Sequence, residues 1–388
     1  MITLQSSVTP RRQTNARNRK LEQSLIDAWS GDSQHLESTL HQLSPYVGKL
    51  KSTMAAEIIR RYTIEGDTVY DPFCGSGSVA LESWAAKRRV IATDLSPYAV
   101  TLTLGKLFPA RDLNEANVEL EKSSAQVARV IRSIDLRNCP KWVRGFYHPE
   151  TLKELVAWAT VLKKRKSHFL LSCLLGISHH QRPGFLSYPS SHAVPYLRDR
   201  KFPREFYPDL YEYRGVYERL VKKVQRSMKR VEILDNSVER SCHLRSAATF
   251  IPKTKVNAVI TSPPYMRRLD YGRDNRLRLW FLGTHDWAKL DRIISPRETQ
   301  FLNLFRRSLK HWWKLLTPAG RCILVVGDSY CRTYNKSLPE TIAKIASDEI
   351  GGYSLEWKFI NRIPDARRVR RGYNGNKDET LLVLRRHP

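Results

Sequence analysis

A chain of 388 residues can bury one large α/β domain plus an insertion without disulfide or metal staples. Its 66 Lys and Arg against 38 Asp and Glu leave a formal net charge of +28, a field that favours a polyanionic partner, nucleic acid before anionic membrane. The six Cys, at 74, 139, 173, 242, 322 and 331, form no C-x-x-C pair, which excludes a zinc ribbon or redox motif. No stretch approaches the roughly 18 apolar residues of a membrane helix, so a soluble cytoplasmic protein with reduced thiols, no membrane and no metal is expected.

Arg11, Arg12, Arg17, Arg19 and Lys20 form a basic run with no hydrophobic segment after it, which reads as a flexible arm. From Thr53 to Tyr62, Met54, Ile58 and Tyr62 fall on one helical face. Thr68 to Tyr70 reads as a short buried strand running into Asp71-Pro72-Phe73-Cys74-Gly75-Ser76-Gly77, and helical character resumes from Val79 to Lys87. Val90 to Thr93 is a second strand ending in Asp94, which makes 68–94 a β-α-β unit with its ligand end at the strand C-termini.

The segment between the halves is far longer than a crossover needs, with helical stretches at Val118 to Ile134, Thr151 to Leu162 and Tyr211 to Val231. Within it, Arg182 to Pro189 and the run to Pro208 are rich in Pro, aromatic and basic residues and read as an irregular surface loop. Strands return at Val256 to Thr261, ending in Ser262-Pro263-Pro264-Tyr265, at Cys322 to Val326, and at Thr380 to Leu384. The fold class is therefore α/β, a Rossmann-like, doubly wound, mostly parallel sheet with a helical and irregular insertion.

Gly75 and Gly77 let backbone approach a ligand closely, and Asp94, 23 residues after Asp71, stands where a carboxylate accepts the hydroxyl protons of a ribose. The turn lacks both the Lys-Ser/Thr ending of a phosphate loop and the three-Gly dinucleotide spacing, and Asp71 would repel phosphate. An adenosine ligand with a cationic centre, such as a sulfonium, meets these conditions. Cys74 reads as a packing residue rather than a nucleophile.

Thr261-Ser262-Pro263-Pro264-Tyr265 suits a different problem. The exocyclic amine of cytosine or adenine is a poor nucleophile because its lone pair is delocalised into the ring. The Ser262 hydroxyl and the Pro263 carbonyl can accept its N–H bonds, two prolines hold the turn, and Tyr265 offers a face for an extruded base. Attack through cytosine C5 would need a Cys nucleophile, commonly after Pro, and there is no Pro-Cys dipeptide.

These residues resemble the amino-group DNA methyltransferases. Ser44-Pro45-Tyr46-Val47-Gly48-Lys49-Leu50 is similar to that family's cofactor-closing segment, which implies Tyr46 and Lys49 against the methionine part of S-adenosylmethionine. Asp71, Pro72, Phe73, Gly75, Ser76 and Gly77 resemble its first motif; Asp94 and Leu95 its ribose-binding acid; Thr261 to Tyr265 its catalytic tetrapeptide, in the Ser-Pro-Pro-Tyr form associated with cytosine N4. The resemblance implies catalytic Ser262, Pro263, Pro264 and Tyr265, and a cofactor set of Tyr46, Lys49, Asp71, Pro72, Phe73, Gly75, Ser76, Gly77, Asp94, Leu95 and Thr261. One departure is Leu244-Arg245-Ser246-Ala247, where Ser246 replaces the acid that usually approaches the adenine amino group.

The order of segments implies a basic arm and helical lead-in at 1–43, a cofactor half at 44–110, a target-recognition insert at 111–240 and a catalytic half at 241–388. Double-stranded DNA is the implied partner, with room for a companion restriction or defence nuclease, and a nucleoid association if the source is prokaryotic. Arg267, Arg268, Arg273, Arg276 and Arg278 would flank the extruded nucleotide, and Arg362, Arg367, Arg368, Arg370 and Arg371 would clamp phosphates. His192, Tyr196, Arg198 and Arg200 are candidate base readers. The same motifs also admit adenine-N6 transfer, an RNA base substrate, or a non-catalytic DNA-binding component that retains the fold.

Overall fold

In the computed structural model, seven strands build the central sheet: β1 (Thr68–Asp71), β2 (Arg89–Asp94), β3 (Arg240–Leu244), β4 (Val256–Thr261), β5 (Leu316–Gly327), β6 (Tyr353–Arg362) and β7 (Asp378–Arg386). The described residues are 23–29, 37–180, 184–189, 201–231, 234–264, 270–294, 297–362 and 378–387. Strand order is β3-β2-β1-β4-β5-β7-β6. The first five strands are parallel, and β7 runs antiparallel to both β5 and β6. This is a Rossmann-like α/β fold. Chain direction across the sheet reverses between β1 and β4, and ligand crevices open at such a switch point, beyond the strand C-termini.

Burial on both faces explains the uniformly apolar strands. Val69, Ala258, Ile260, Ile323 and Val325 pack with Met54, Ala55, Ile58 and Ile59 of α1 (Ser52–Tyr62). Their alternates Tyr70, Val259, Cys322, Leu324 and Val326 pack with Phe301, Phe305, Leu309 and Trp312 of α10 (Glu298–Leu315), one residue out of phase along each strand. Between β1 and β2 runs α2 (Ser78–Ala85), and after β2 runs α3 (Pro97–Leu107). Ser96 caps α3 by accepting from the Ala99 amide, and Pro97 opens its first turn.

The region between β2 and β3 holds α4 (Leu113–Val130), α5 (Pro149–Lys164), α6 (His168–Ser178) and α7 (Val216–Ser227). Three of these overlap the expected helices with shifted ends, and the caps explain the shifts. Asp112 accepts from the Glu115 amide and starts α4 early, whereas Pro208–Tyr211 forms a separate 3-10 turn and delays α7 to Val216. The helix α6 is an addition to the sequence reading. Every residue from Phe169 to Ser178 is buried, so its sequence carries no amphipathic period. It crosses α3 closely, since a Cβ at Gly105 would lie 2.5 Å from Ser172 Oγ. One buried cluster runs from Trp84 and Leu102 through Phe146, Trp158 and Leu170 to Leu220, so these helices share a core with the cofactor side of the sheet. Among the described residues no helix is long and apolar enough to cross a membrane, and no group of three or more His, Cys, Asp or Glu could hold a metal ion.

Candidate active site

The parallel register Tyr70↔Val259 brings the ends of β1 and β4 side by side. Thr261 Oγ1 donates to Asp71 Oδ1 at 2.6 Å, and the Phe73 amide donates to both Asp71 Oδ1 and Thr261 Oγ1 at 3.3 Å. The Asp71 carboxyl is pushed up to about 7 by burial, with the Asp94 charge acting in the same sense and the Thr261 and Phe73 hydrogen bonds opposing. Asp94, at the end of β2, accepts from the Gly75 amide at 3.0 Å and the Ser96 amide at 2.8 Å, one on each oxygen. Burial raises it to about 6, and those amides oppose the rise. With the Leu95 amide also directed at the carboxyl, lone-pair capacity still remains for a further donor.

Gly75 and Gly77 have φ of +47° and +76°, in the left-handed region that favours glycine. Their crowding differs. A Cβ at Gly75 would lie 3.2 Å from the Tyr46 ring, on the cleft side, whereas one at Gly77 would lie 2.7 Å from Thr103 Oγ1, beneath the turn on α3. Gly77 therefore allows helix packing. Cys74 is buried, its Sγ accepts from Thr103 Oγ1 at 3.3 Å, and burial pushes the thiol well above its ordinary range. It packs and stays protonated, as its sequence context suggested.

One cavity, about 830 Å³ including the space open to solvent, collects both motifs. Tyr46, Lys49, Asp71, Pro72, Phe73, Gly75, Ser76, Asp94 and Leu95 line it, and so do Ser262 and Pro264. Gly77, Thr261 and Pro263 are absent from the described lining, and Thr261 acts through Asp71 instead. The Ser262 hydroxyl donates to the Val325 carbonyl at 3.2 Å. With its proton so committed, its lone pairs are left to accept. Tyr265, Arg267, Arg268, Arg367, Arg368, Arg370, Arg371, His192, Tyr196, Arg198, Arg200 and the basic arm lie outside the described residues, as does the side chain of Arg362.

The Tyr46 wall is held from behind. Its ring stacks on Tyr98 at 5.7 Å and tilts against Tyr271 at 6.4 Å. The Tyr98 hydroxyl donates to the Pro45 carbonyl and lies 2.6 Å from Ser44 Oγ. Lys49 Nζ donates to the His41 carbonyl at 3.3 Å and approaches Glu37 at 3.8 Å. Arg245, Ser246 and Ala247 also reach the cavity, so the segment lacking the usual acid does stand at its wall.

Two expected cleft cations are elsewhere. Arg278, on a short helix α8 (Arg276–Phe281), is 2% exposed and donates to the carbonyls of Leu175 and His179 at the end of α6. Its neighbours Leu277 and Leu279 belong to the core, and a guanidinium neutralises the negative end of α6. Arg276 lies over Trp142 at 5.0 Å. Arg273 is half exposed and faces Asp270 at 3.6 Å. Conversely, Tyr271, Ile293, Ile294 and Leu304 line the cavity without having been singled out. The two isoleucines end α9 (Trp287–Ile294), and Ile293 is 51% exposed. Apolar pairs at a helix end are a weak signal, and only the docking of α9 turns them towards the cleft.

Residues 5–104 match the DNA methylase family model. That model, N6_N4_Mtase, spans the cofactor-closing segment, the glycine turn and Asp94. A curated relative, the Type II methyltransferase M.BsoBI of Geobacillus stearothermophilus, is 25% identical over 278 residues, 64% of this chain and 53% of that protein. The chain thus spans about half the length of that relative. Among solved structures, TrmN from Thermus thermophilus aligns over 89% of this chain and 52% of its own, with a TM-score of 0.36 and 12% identity. The rRNA methyltransferase aviRa from Streptomyces viridochromogenes aligns over 91% and 94%, also at 0.36 and 12%.

S-adenosylmethionine is the cofactor this donor set fits. Asp94 offers lone pairs for a ribose, Phe73 and Leu95 give apolar walls, and the buried Asp71 carboxylate favours a cationic ligand over a phosphate.

Proposed function

We propose that this chain methylates the exocyclic amino nitrogen of a base flipped from double-stranded DNA, with cytosine N4 as the target. The observation that carries the reading is the shared cavity: Gly75 and Asp94 of the glycine turn line the same space as Ser262 and Pro264. The DNA methylase model over 5–104 and a relative named as a Type II methyltransferase support a DNA substrate. The Ser-Pro-Pro-Tyr form supports cytosine.

Bound S-adenosylmethionine supplies an electrophilic methyl on sulfonium sulfur. That methyl would pass to the base nitrogen, and the positive charge developing there is met by this chain's own acceptors. Ser262 Oγ, oriented by its donation to Val325, accepts one N–H, and the Pro263 carbonyl accepts the other. Tyr265 stacks on the flipped base, contributing roughly 1–3 kcal/mol against an unstacking cost of a few kcal/mol. Asp94 holds the ribose, Asp71 favours the cationic end, and the Tyr46 wall excludes water. The proton leaves the methylated nitrogen for solvent. Positioning and electrostatics supply the rate.

Target recognition belongs to the 111–240 insert in this reading, with Arg267, Arg268 and Arg273, and the arginines at 367, 368, 370 and 371, contacting phosphates. Incubation with mixed-sequence duplex DNA and isotopically labelled cofactor, followed by mass spectrometry of the nucleosides, tests it. N4-methylcytosine is the expected product. N6-methyladenine would reassign the base, and label entering RNA alone, or no nucleic acid, would overturn the proposal.

A further inference from the structure

Tyr46 and Lys49 line a second cavity as well as the first, about 1000 Å³ including the space open to solvent. Its other walls come from Thr39, Gln42 and Ser44, from the end of α6, and from Lys223, Arg226 and Ser227 of α7. The two cavities differ in charge. The first holds Asp71 and Asp94, whereas none of the described residues lining the second is acidic, and Lys49, Lys223 and Arg226 all face it.

A buried amine lies behind this wall. Lys106 is buried with Nζ 3.5 Å from His41 Nδ1, and His41 Nε2 lies 2.7 Å from Glu82. Burial holds the Lys106 ammonium down to about 7, and the Lys49 charge acts in the same sense. Burial also lowers Lys223, with Arg226 adding to the effect. Glu37 approaches Lys49 at 3.8 Å. Like charges held together in a half-buried wall repel, and an anion relieves that repulsion. Donors remain for it: Lys223 Nζ spends one of its three hydrogens on the Gln42 carbonyl at 2.6 Å, and Arg226 uses its Nε on the Lys222 carbonyl at 3.3 Å. The fork of two terminal nitrogens on Arg226 matches phosphate geometry.

We propose that this second cavity is a phosphate subsite that takes a phosphodiester of the DNA strand, held by Lys223 and Arg226. Its anion chemistry stands on the cavity itself, while the identity of the phosphate as DNA rests on the function proposed above. Lys223 already ties α7 to the 39–49 segment through the Gln42 carbonyl. The same segment carries Tyr46 onto the glycine turn, so strand binding and the cleft wall share one element.

The test is duplex affinity of the full chain, followed by fluorescence anisotropy over a series of KCl concentrations, for wild type, K223Q/R226Q and the charge-preserving K223R. Losing one phosphate contact lowers the slope of log K against log salt by about 0.9. The double variant is expected to flatten the slope by about that amount and to bind several-fold more weakly at every sequence tried, with calorimetric S-adenosylmethionine affinity unchanged and K223R close to wild type. Inorganic phosphate should compete with the duplex for wild type more effectively than for the double variant. An unchanged slope in a double variant of normal melting temperature, with inorganic phosphate competing equally in both proteins, would overturn the subsite. Protection by inorganic phosphate without any slope change would overturn its assignment to DNA. If wild-type protein methylates duplex DNA but the slopes coincide, only the subsite fails; if the slopes differ but no methyl is transferred, only the proposed reaction fails.

Discussion

Thr261 Oγ1 donates a 2.6 Å hydrogen bond to Asp71 Oδ1 across 190 positions of sequence. The two residues end β4 and β1, so this bond ties the turn proposed to act on the base to the turn proposed to hold the cofactor. Both groups are buried, where an unmet carboxylate is costly.

Thr261→Val keeps the shape and removes the donor. Chemical denaturation should show a loss of about 1–3 kcal/mol, the usual worth of a hydrogen bond to a buried ionisable group, since the longer bond from the Phe73 amide remains. Calorimetry should show weaker S-adenosylmethionine binding as well. Thr261→Ser should restore most of both; equal losses in the two variants would mean that methyl packing, not the hydrogen bond, matters.

The raised carboxyls set a pH dependence. Asp71 near 7 and Asp94 near 6 stand above their ordinary carboxylate range, so the folded state holds more protons than the unfolded chain. The stability these groups contribute is fully present below about pH 4 and is lost as pH rises through about 6 to 7. A cationic ligand favours the ionised forms, so its affinity should rise over that same interval with release of protons. Calorimetry in buffers of different ionisation enthalpy measures this directly, and proton-free binding at pH 6.5 would contradict it.

Ser262→Ala should lower kcat by about 100- to 1000-fold, the range found when one preorganised group is removed from a developing charge. Cofactor affinity should stay close to wild type, because Ser262 makes its one described hydrogen bond to Val325 on the neighbouring strand. A matching loss of cofactor binding would place Ser262 in the other half of the cleft.

Arg278→Met separates a structural cation from a DNA-binding one. The change removes donors from the carbonyls of Leu175 and His179 and should cost about 2–4 kcal/mol in denaturation. At temperatures where the variant is folded, the salt slope of duplex binding should equal that of wild type. A flattened slope would show that this guanidinium reaches phosphate after all.

Motifs confined to one element were readable early. The run from Thr68 to Asp94 declares itself because a short apolar strand, two glycines and a carboxylate follow one another in the order a β-α-β unit requires. Helix α6 was missed for the opposite reason: burial on all sides erases the periodicity by which helices are found. Arg278 was misplaced because it follows a run of arginines; its flanking Leu277, Leu279 and Phe281 signal burial, but nothing nearby in sequence reveals the helix end awaiting it. Tyr271, Ile293 and Ile294 join the cleft through the docking of two helices, a relation that no spacing encodes.

The sequence alone determined the chemistry of each strand end, because residue types that accept ribose hydroxyls or amino hydrogens, and glycines that adopt positive φ, are local properties. That the two ends open into one cavity, that Thr261 serves Asp71 rather than lining it, and that Arg278 is buried while Lys223 and Arg226 face a second cavity were decided only by tertiary structure. Those facts depend on which strands pair and which helices cross, and such contacts join residues far apart in the chain through a shared core.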